Sequence, residues 1–521
     1  MRGVLTLAVL STLLLVALPR AHAQPETVLY NFCSQPNCVD GENPASSLVP
    51  DGAGNFYGTT QLGGANMYGT VYELSPNGAG GYNESVLYSF CSLQNCADGS
   101  SPYSSVTFDG QGNLYGTTYY GGLFASGPYS GYGLVFELSP EPRGGCPGGS
   151  NSGNGWCETI LYSFTSSPDG AFPFSGLTWD ASGNLYGTAY GGGSGTGTVY
   201  ELSPNGKGGW SEQVIYDKGG YPGLTIDGSG NLYGADDAGN GHVFKLSPNG
   251  SGSWNAIILH TFKAGRKDGA SPQGTPVLDS AGNVYGTTFE GGARKGMGTV
   301  WKLTPSPTGE YTVEILHSFI WSYGSNPKGG VVLDSSGNIY STTAYGIHAS
   351  PCYDGCGTVF ELANSGSGYE WTFVWSFEGT DGANPVDTLI LDGGNLYGTT
   401  YGGGKSSYCP GTGGCGVVIE VNPSARVTTT VLTSSPNPST FGEAVTFTAV
   451  VTPAPPDGET VTFEHAGSKN PVLGTAPLNG GTAVFTTSSL PVGTPHIRAV
   501  YGGDRLFEAS TSNGVKQVVQ R

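Results

Sequence analysis

Charge is scarce in this chain. Only 11% of its 521 residues are Asp, Glu, Lys or Arg, and Met occurs three times. A chain short of Glu and Lys but holding 89 Gly and 30 Tyr is a poor source of helices and a good source of strands and tight turns. Basic residues are scarcest: 20 Lys and Arg stand against 39 Asp and Glu, a net charge of −19. That balance argues against nucleic acid as a partner, because its phosphates would be repelled. No HExxH, nucleophile elbow, P-loop or dinucleotide fingerprint occurs, and neither does a CxxC or HxxxH metal pattern. Past residue 18 there is no long apolar run, so no membrane span is expected in the mature protein.

What is present begins with an export signal. Arg2 precedes the apolar run "VLTLAVLSTLLLVAL" at 4–18, and "AHA" at 21–23 offers a cut site after Ala23. A secreted, extracellular protein is expected, with the periplasm or cell surface as alternatives. Ten cysteines fall into five near pairs: Cys33/Cys38, Cys91/Cys96, Cys146/Cys157, Cys352/Cys356 and Cys409/Cys415. On an exported chain these read as local disulfides; a metal would need two pairs meeting in space with His nearby.

The phrase "GNLYGTT" at 112–118 is one of seven copies, strict or loose, with the Asn at 55, 113, 184, 231, 283, 338 and 395. Each copy carries four short β-branched or aromatic runs: one like "VLYSF", one ending in Asp, "NLYGTT", and one like "GTVYELSP". Four strands per repeat of about 50 residues predict the blades of a β-propeller. The alternative, a β-solenoid, would use shorter and more uniform repeats. In "DGQGN" (109–113) an Asp opens a tight turn and Gly112 supplies positive φ. The same Asp recurs as Asp51, Asp180, Asp227, Asp279, Asp334 and Asp392. A calcium loop would want more oxygen ligands than one carboxylate and one amide. No cofactor is therefore expected, and calcium stands as the alternative. The Tyr of "LYG" is expected to pack between blades and the following Gly to permit close blade contact.

The composite phrase "LYSF…DG…P…D..GNLYGTT…GG…GTVFELSP" resembles the GloVer (Gloeo/Verruco) tandem repeat of exported bacterial proteins over roughly residues 26–423. That resemblance implies an architecture and an export route, and brings no catalytic residues. "D..GNLY" is more weakly similar to NHL-repeat propellers. By that analogy the run ending in Asp lines the central channel. The mature chain begins on an outermost run, "ETVLYNF" (26–32), and the seventh copy ends on its third, "GVVIEV" (416–421). The two are expected to share the last blade and close the ring. After "NPSARV" (422–427) the repeat stops, and the tail resembles bacterial Ig-like repeats. The expected organisation is all-β: signal peptide 1–23, a seven-bladed β-propeller at 24–424 and an immunoglobulin-like β-sandwich at 425–521.

The same phase sorts the loops. Those joining an outer strand to the next inner strand share a face with those joining second and third strands. The first kind carries Asp40, Asp98, Asp169, Asp268 and Asp381; the second carries Tyr119, Tyr120, Tyr190, Phe289, Tyr345 and Tyr401. Four of the five cysteine pairs also fall in these loops; Cys146/Cys157 lies on the other face, in a long Gly-rich insertion. Loops stiffened by disulfides are expected to present a fixed surface. Carboxylates beside exposed aromatics suit a neutral glycan, since rings cover the apolar side of a sugar and carboxylates accept its hydroxyls. The competing reading is that "DG" and "GG" only make turns. Asp236/Asp237 form the most suggestive carboxylate pair, and His260 and His317 are expected to pack in outer strands. Three functions follow: a monomeric extracellular binding protein for a polysaccharide or surface protein with the Ig-like module as spacer, a glycan lyase or hydrolase, or a structural matrix component. Catalytic residues are not expected, because the loops stay similar from blade to blade.

Overall fold

Each copy of the repeat forms one antiparallel sheet, because its four runs alternate with Gly, Pro and Asp turns. A computed structural model describes residues 26–521 except 79–80, 142–145, 147–149, 152, 221, 266, 294–295, 322–323, 347–351, 407, 410–412, 425–427, 456–457, 467–471, 504–506 and 508. The expected signal segment lies outside the described residues. One unit is Glu26–Pro423; the other contains Ser424–Arg521.

The first unit is a seven-bladed propeller. In the first blade the inner strand comes in two pieces, Glu42–Pro44 and Val49–Pro50, which both pair with Phe56–Leu62. Then follow Thr70–Pro76 and the outer strand Tyr82–Ser89. Third strands open on a run such as Thr-Val-Tyr that is buried on both faces. Val71 packs toward the second blade, with Leu114 and Phe136. Its neighbour Tyr72 packs the opposite way, with Leu29 and Val418 of the last blade.

The ring closes as its phase predicts. The strand Glu26–Asn31 pairs with Val417–Val421, from Glu26 opposite Val421 to Asn31 opposite Val417, and so becomes the outer strand of the seventh blade. Its pairing shifts register between Val28 and Tyr30. The same bulge recurs in the other six outer-strand pairings, as between Val71 and Tyr72 of the first blade. Near the axis the blades are clamped by the first Thr of Gly-Thr-Thr, whose hydroxyl donates to the next blade's inner backbone. Thr59 reaches Ser104 at 2.9 Å, Thr287 reaches Gly329 at 2.8 Å, and Thr399 crosses the closing seam to Ser46 at 3.1 Å.

Two sequence expectations meet different outcomes. The Tyr of "LYG" does pack between blades: Tyr57 meets Phe108 of the next blade edge-on at 5.0 Å. The Gly that follows serves its own blade instead. A Cβ on Gly58 would strike the Tyr72 ring, and one on Gly116 the Phe136 ring, both on the adjacent third strand. Blade six manages with Ser341, whose hydroxyl donates to Gly330 O at 2.7 Å. The Asp turns form as read: Asp109 accepts the Gln111 and Asn113 amides at 2.7 and 3.0 Å, and Gly112 has φ 89°. In the seventh blade the hairpin is one residue shorter, and Asp392 pairs directly with Asn395.

The second unit is a β-sandwich without cysteine. Val472–Asn479 joins its two sheets by pairing with Thr460–His465 and with Thr482–Thr487. Phe447, Val461, Phe463, Ile497 and Tyr501 form its core.

Four blade seams hold an unusual acid. Glu26, Glu84, Glu158 and Glu212 head the outer strands, and in each the Oε1 atom is buried with no hydrogen-bond partner among the described residues. Burial, and next the Asp of the adjoining loop (Asp381, Asp40, Asp98 and Asp169 in turn), raise these carboxyls to about 8, or about 7 for Glu212. A raised folded pKa means that the native state holds the proton more tightly than the unfolded chain. The stability linked to it is complete below the ordinary carboxyl range and is lost as pH rises through 7 and 8.

Two outcomes are expected. Deleting residues 26–32 exposes the Val417–Val421 edge and opens the ring, so thermal unfolding should shift down sharply or folding should fail. Melting temperature should also fall by several degrees between about pH 6 and about pH 9, and Glu158→Gln should flatten that dependence. A profile unchanged by Glu158→Gln would show that the seam acids do not carry it.

Candidate functional site

The five loop aspartates lie inside their loops. Asp40 and Asp98 are fully buried, Asp169 and Asp268 are 5% and 9% exposed, and Asp381 is half-buried. Each accepts a hydrogen bond from the aromatic of the preceding outer strand and from the loop backbone. Tyr30 Oη and the Ser34 amide donate to Asp40, both at 2.8 Å. Tyr88 Oη and the Ser92 amide serve Asp98 at 2.9 and 2.7 Å, and Tyr162 Oη serves Asp169 at 2.7 Å. His260 Nε2 and Trp375 Nε1 replace the Tyr hydroxyl at Asp268 and Asp381, at 3.2 and 3.1 Å. Tyr, His and Trp alternate at this position because each carries an aromatic body and a polar hydrogen. The expectation that these carboxylates face a ligand is therefore corrected: their oxygens are committed to holding the loops. His260 also does more than pack. His317, whose loop has no Asp, stacks on Trp371 at 5.7 Å, and burial pushes it down to about 4.

All five cysteine pairs are local disulfides: Cys33–Cys38, Cys91–Cys96, Cys146–Cys157, Cys352–Cys356 and Cys409–Cys415. Every bridge is anchored in the interior. Its second cysteine is buried in each case: Cys38, Cys96, Cys157, Cys356 and Cys415. Cys33 is buried as well. Cys38 and Cys415 join the apolar cluster of the closing seam, and Cys356 packs with Val359 and Phe377 of the sixth blade. Sulfur is apolar enough to serve as core, so each bridge pins its loop to the blade beneath it. Two bridges also meet: the sulfurs of Cys33, Cys38, Cys409 and Cys415 lie within 4.8 Å of one another across the closing seam. Paired as disulfides, they offer no thiolate to a metal.

The residues before the Pro of these loops stitch one blade to the next. Asn43, Ser101, Phe172, Ser271, Asn326 and Asn384 each precede a Pro and hold φ between 52° and 59°. Each donates its amide to the previous blade, as Asn43 does to Cys415 O at 2.8 Å and Phe172 to Tyr132 O at 2.8 Å. Asn tolerates this left-handed conformation, whereas for Phe172 it costs on the order of 1–2 kcal/mol. Stacking of the Phe172 ring on Tyr119 at 5.1 Å helps to hold it there. Asn43 and Asn326 also donate their side-chain amides to the backbone oxygens of Tyr401 and Phe289, at 2.8 and 3.0 Å.

The aromatics gather around the propeller axis. A cavity of about 660 Å³ is walled by residues from all seven blades. Phe289, Tyr345 and Tyr401 line it, joined by Tyr103 and Phe174, which stack at 5.0 Å. Tyr401 Oη donates to Gln61 Oε1 at 2.7 Å, and the Gln61 amide in turn donates to Tyr103. Tyr119 and Tyr120 do not line the cavity; they form an adjoining cluster with Tyr103 and Phe172. Tyr190, 37% exposed, stands at the edge of that cluster near Tyr119. Ser47, Ser105, Gln273, Thr275 and Thr388 add hydroxyls and an amide to the wall.

Residues 19–146, 150–295 and 274–467 match the model of the Gloeobacter/Verrucomicrobia repeat, and residues 432–520 match that of the bacterial Ig-like domain (group 3). The chain belongs to the Gloeobacter/Verrucomicrobia repeat family. No curated protein matches it.

In this repeat protein two cavity residues escaped the sequence reading. Lys328 and Asp387 lie one and two places after the Pro of the "NP" step, where other blades put Ala45, Tyr103, Phe174 or Gln273, and Ser46, Ser104 or Ser175. The signal was variation at a fixed place in a constant phrase. The Lys328 ammonium lies 5.8 Å from the ring centres of both Phe289 and Tyr345. Asp387 lines the wall while its Oδ2 is buried without a partner, and burial holds its carboxyl well above the usual range.

The other candidates among the described residues serve the frame. Asp236 and His242, paired at 2.7 Å, replace the Thr–Thr pair that other blades make between second and third strands, as Thr60 with Thr70 at 2.8 Å. Burial raises the carboxyl of Asp237. A cation in the Asp turns would have to displace amide donors from Asp109 and its equivalents.

The buried role of the loop aspartates has a direct check. Asp98→Ala removes the acceptor shared by the Tyr88 hydroxyl and three loop donors, the Ser92 amide, the Ser92 hydroxyl and the Leu93 amide, and should destabilise the propeller by about 1–3 kcal/mol in urea unfolding. A loss within about 0.5 kcal/mol, typical of surface substitutions, would return Asp98 to the list of exposed groups.

Proposed function

We propose that this is an extracellular or cell-surface binding protein whose propeller holds a saccharide in its central cavity, with the Ig-like domain as spacer or adhesion module. The disulfides and the bacterial Ig-like domain fit an extracellular or surface protein. The observation that carries the ligand class is the cavity wall. Five aromatic rings from five blades, Tyr103, Phe174, Phe289, Tyr345 and Tyr401, alternate there with hydroxyl and amide groups. Flat rings cover the apolar face of a sugar, and the hydroxyls and amides exchange hydrogen bonds with its edge. The binding surface thus moves from the loop carboxylates to the axis.

Binding is favoured over glycan hydrolysis by a count of carboxyls. Glycoside hydrolysis ordinarily needs a pair of them across the bond. Among the described residues of the cavity wall there is one, Asp387, and its tip is turned into the protein.

The test is truncation of the wall. Tyr103→Ala and Tyr401→Ala should each weaken retention in polysaccharide affinity gels by about tenfold or more, as buried aromatic contacts do. Their melting temperatures should stay within a few degrees of the parent. If both variants are retained like the parent, the cavity is not the binding site.

A further inference from the structure

We propose that the cavity selects a saccharide that carries negative charge, a uronate or a sulfated sugar, and that Lys328 makes the selection. The inference rests on the saccharide reading above and sharpens it.

Lys328 is the one cation on a wall to which all seven blades contribute, among the described residues. The ion pairs in the described residues are Asp236–His242, Asp268–His260 and Glu464–Arg498, so no carboxylate among them neutralises the Lys328 ammonium. Its neighbours are the rings of Phe289 and Tyr345, which stabilise a cation without cancelling its charge. Asp387, the one carboxyl among the described wall residues, forms no ion pair with Lys328, and its burial raises its pKa well above the usual carboxylate range. Burial also lowers the pKa of Lys328, as expected of an ammonium that has lost water and gained no partner.

The setting makes the choice pointed. The chain carries a net charge of −19, which repels anions in general. A lone ammonium at the axis provides a local exception inside a part-desolvated space, where one charge pair is worth more than at the surface. The corresponding wall position is Ala45, Tyr103, Phe174, Gln273 or Val386 in other blades, so the repeat does not require Lys there. An anionic group would supply the partner that the protein withholds, while the sugar ring meets the aromatics.

Titration calorimetry on the full mature chain decides the matter with three probes: tetragalacturonate, a sulfated galactan tetrasaccharide and neutral cellotetraose. At least one charged probe should bind about tenfold or more tightly than the neutral one, and added salt should erode that margin. The stronger of the two charged probes names the anion. Lys328→Gln should bring charged and neutral probes to similar affinity, whereas Lys328→Arg should keep the preference; thermal unfolding checks that both variants fold. Equal binding of charged and neutral probes by the parent, or a preference that survives Lys328→Gln, would overturn the proposal and leave the saccharide reading standing. Failure of the parent to bind any probe would remove both.

Discussion

A blade of this propeller cannot exist alone. Its third strand sends Val71 to one side and Tyr72 to the other, both fully buried, and only neighbouring blades can cover them. Every blade therefore depends on the next, and the last depends on the first. The strand Glu26–Asn31 resolves this by lending the first run of the repeat array to the seventh blade. With the ring complete, no long sheet edge is left between blades, and the apolar faces are all paired. The Thr clamp at Thr399–Ser46 and the Leu29, Phe32, Tyr72 and Val418 cluster then make the closing seam resemble the other seams.

A closed ring of rigid sheets still needs rigid loops to present a fixed surface. Here the loops are held twice. In five of them an aspartate fastens the loop to its own outer strand, and the left-handed residue before Pro ties it to the previous blade. Gly41 shows how tight the arrangement is: a Cβ there would come within 2.6 Å of the Thr60 methyl carbon. Polar groups that look available in the sequence are consumed in this work. The short stretch after the Pro, where side chains differ from blade to blade, lines the cavity together with Phe289, Tyr345 and Tyr401.

That division gives the fold a constant frame and a variable wall. Ser46, Ser104 and Ser175 belong to the frame, since their hydroxyls bond the second strand of the same blade, as Ser46 does to the Thr59 amide at 2.8 Å. Asp387 stands in the equivalent place with a buried oxygen left unpaired. Lys328 stands one position nearer the Pro, on the wall itself.

Much of the architecture was legible in the sequence because the repeat writes it seven times. Four apolar runs per copy, Asp-Gly turns between them, and a chain that starts on an outer run and stops on a third one determine blade number, strand order and the closing pair. The cysteine spacing and the change of pattern after residue 424 mark the disulfides and the second domain. The repeat could not say which way a side chain faces across a seam. "DG" reads the same whether its carboxylate meets solvent or Tyr88, and "LYG" reads the same whether its glycine makes room for a neighbouring blade or for Tyr72 of its own. Spacing likewise pairs Cys91 with Cys96 without telling that the second sulfur ends in the interior. The buried glutamates at the seams, and the meeting of Lys328, Phe289, Tyr345 and Asp387 around one cavity, are products of closure. Those residues are brought together by the curvature of seven packed sheets, and distance around a ring is not a quantity that spacing along a chain contains.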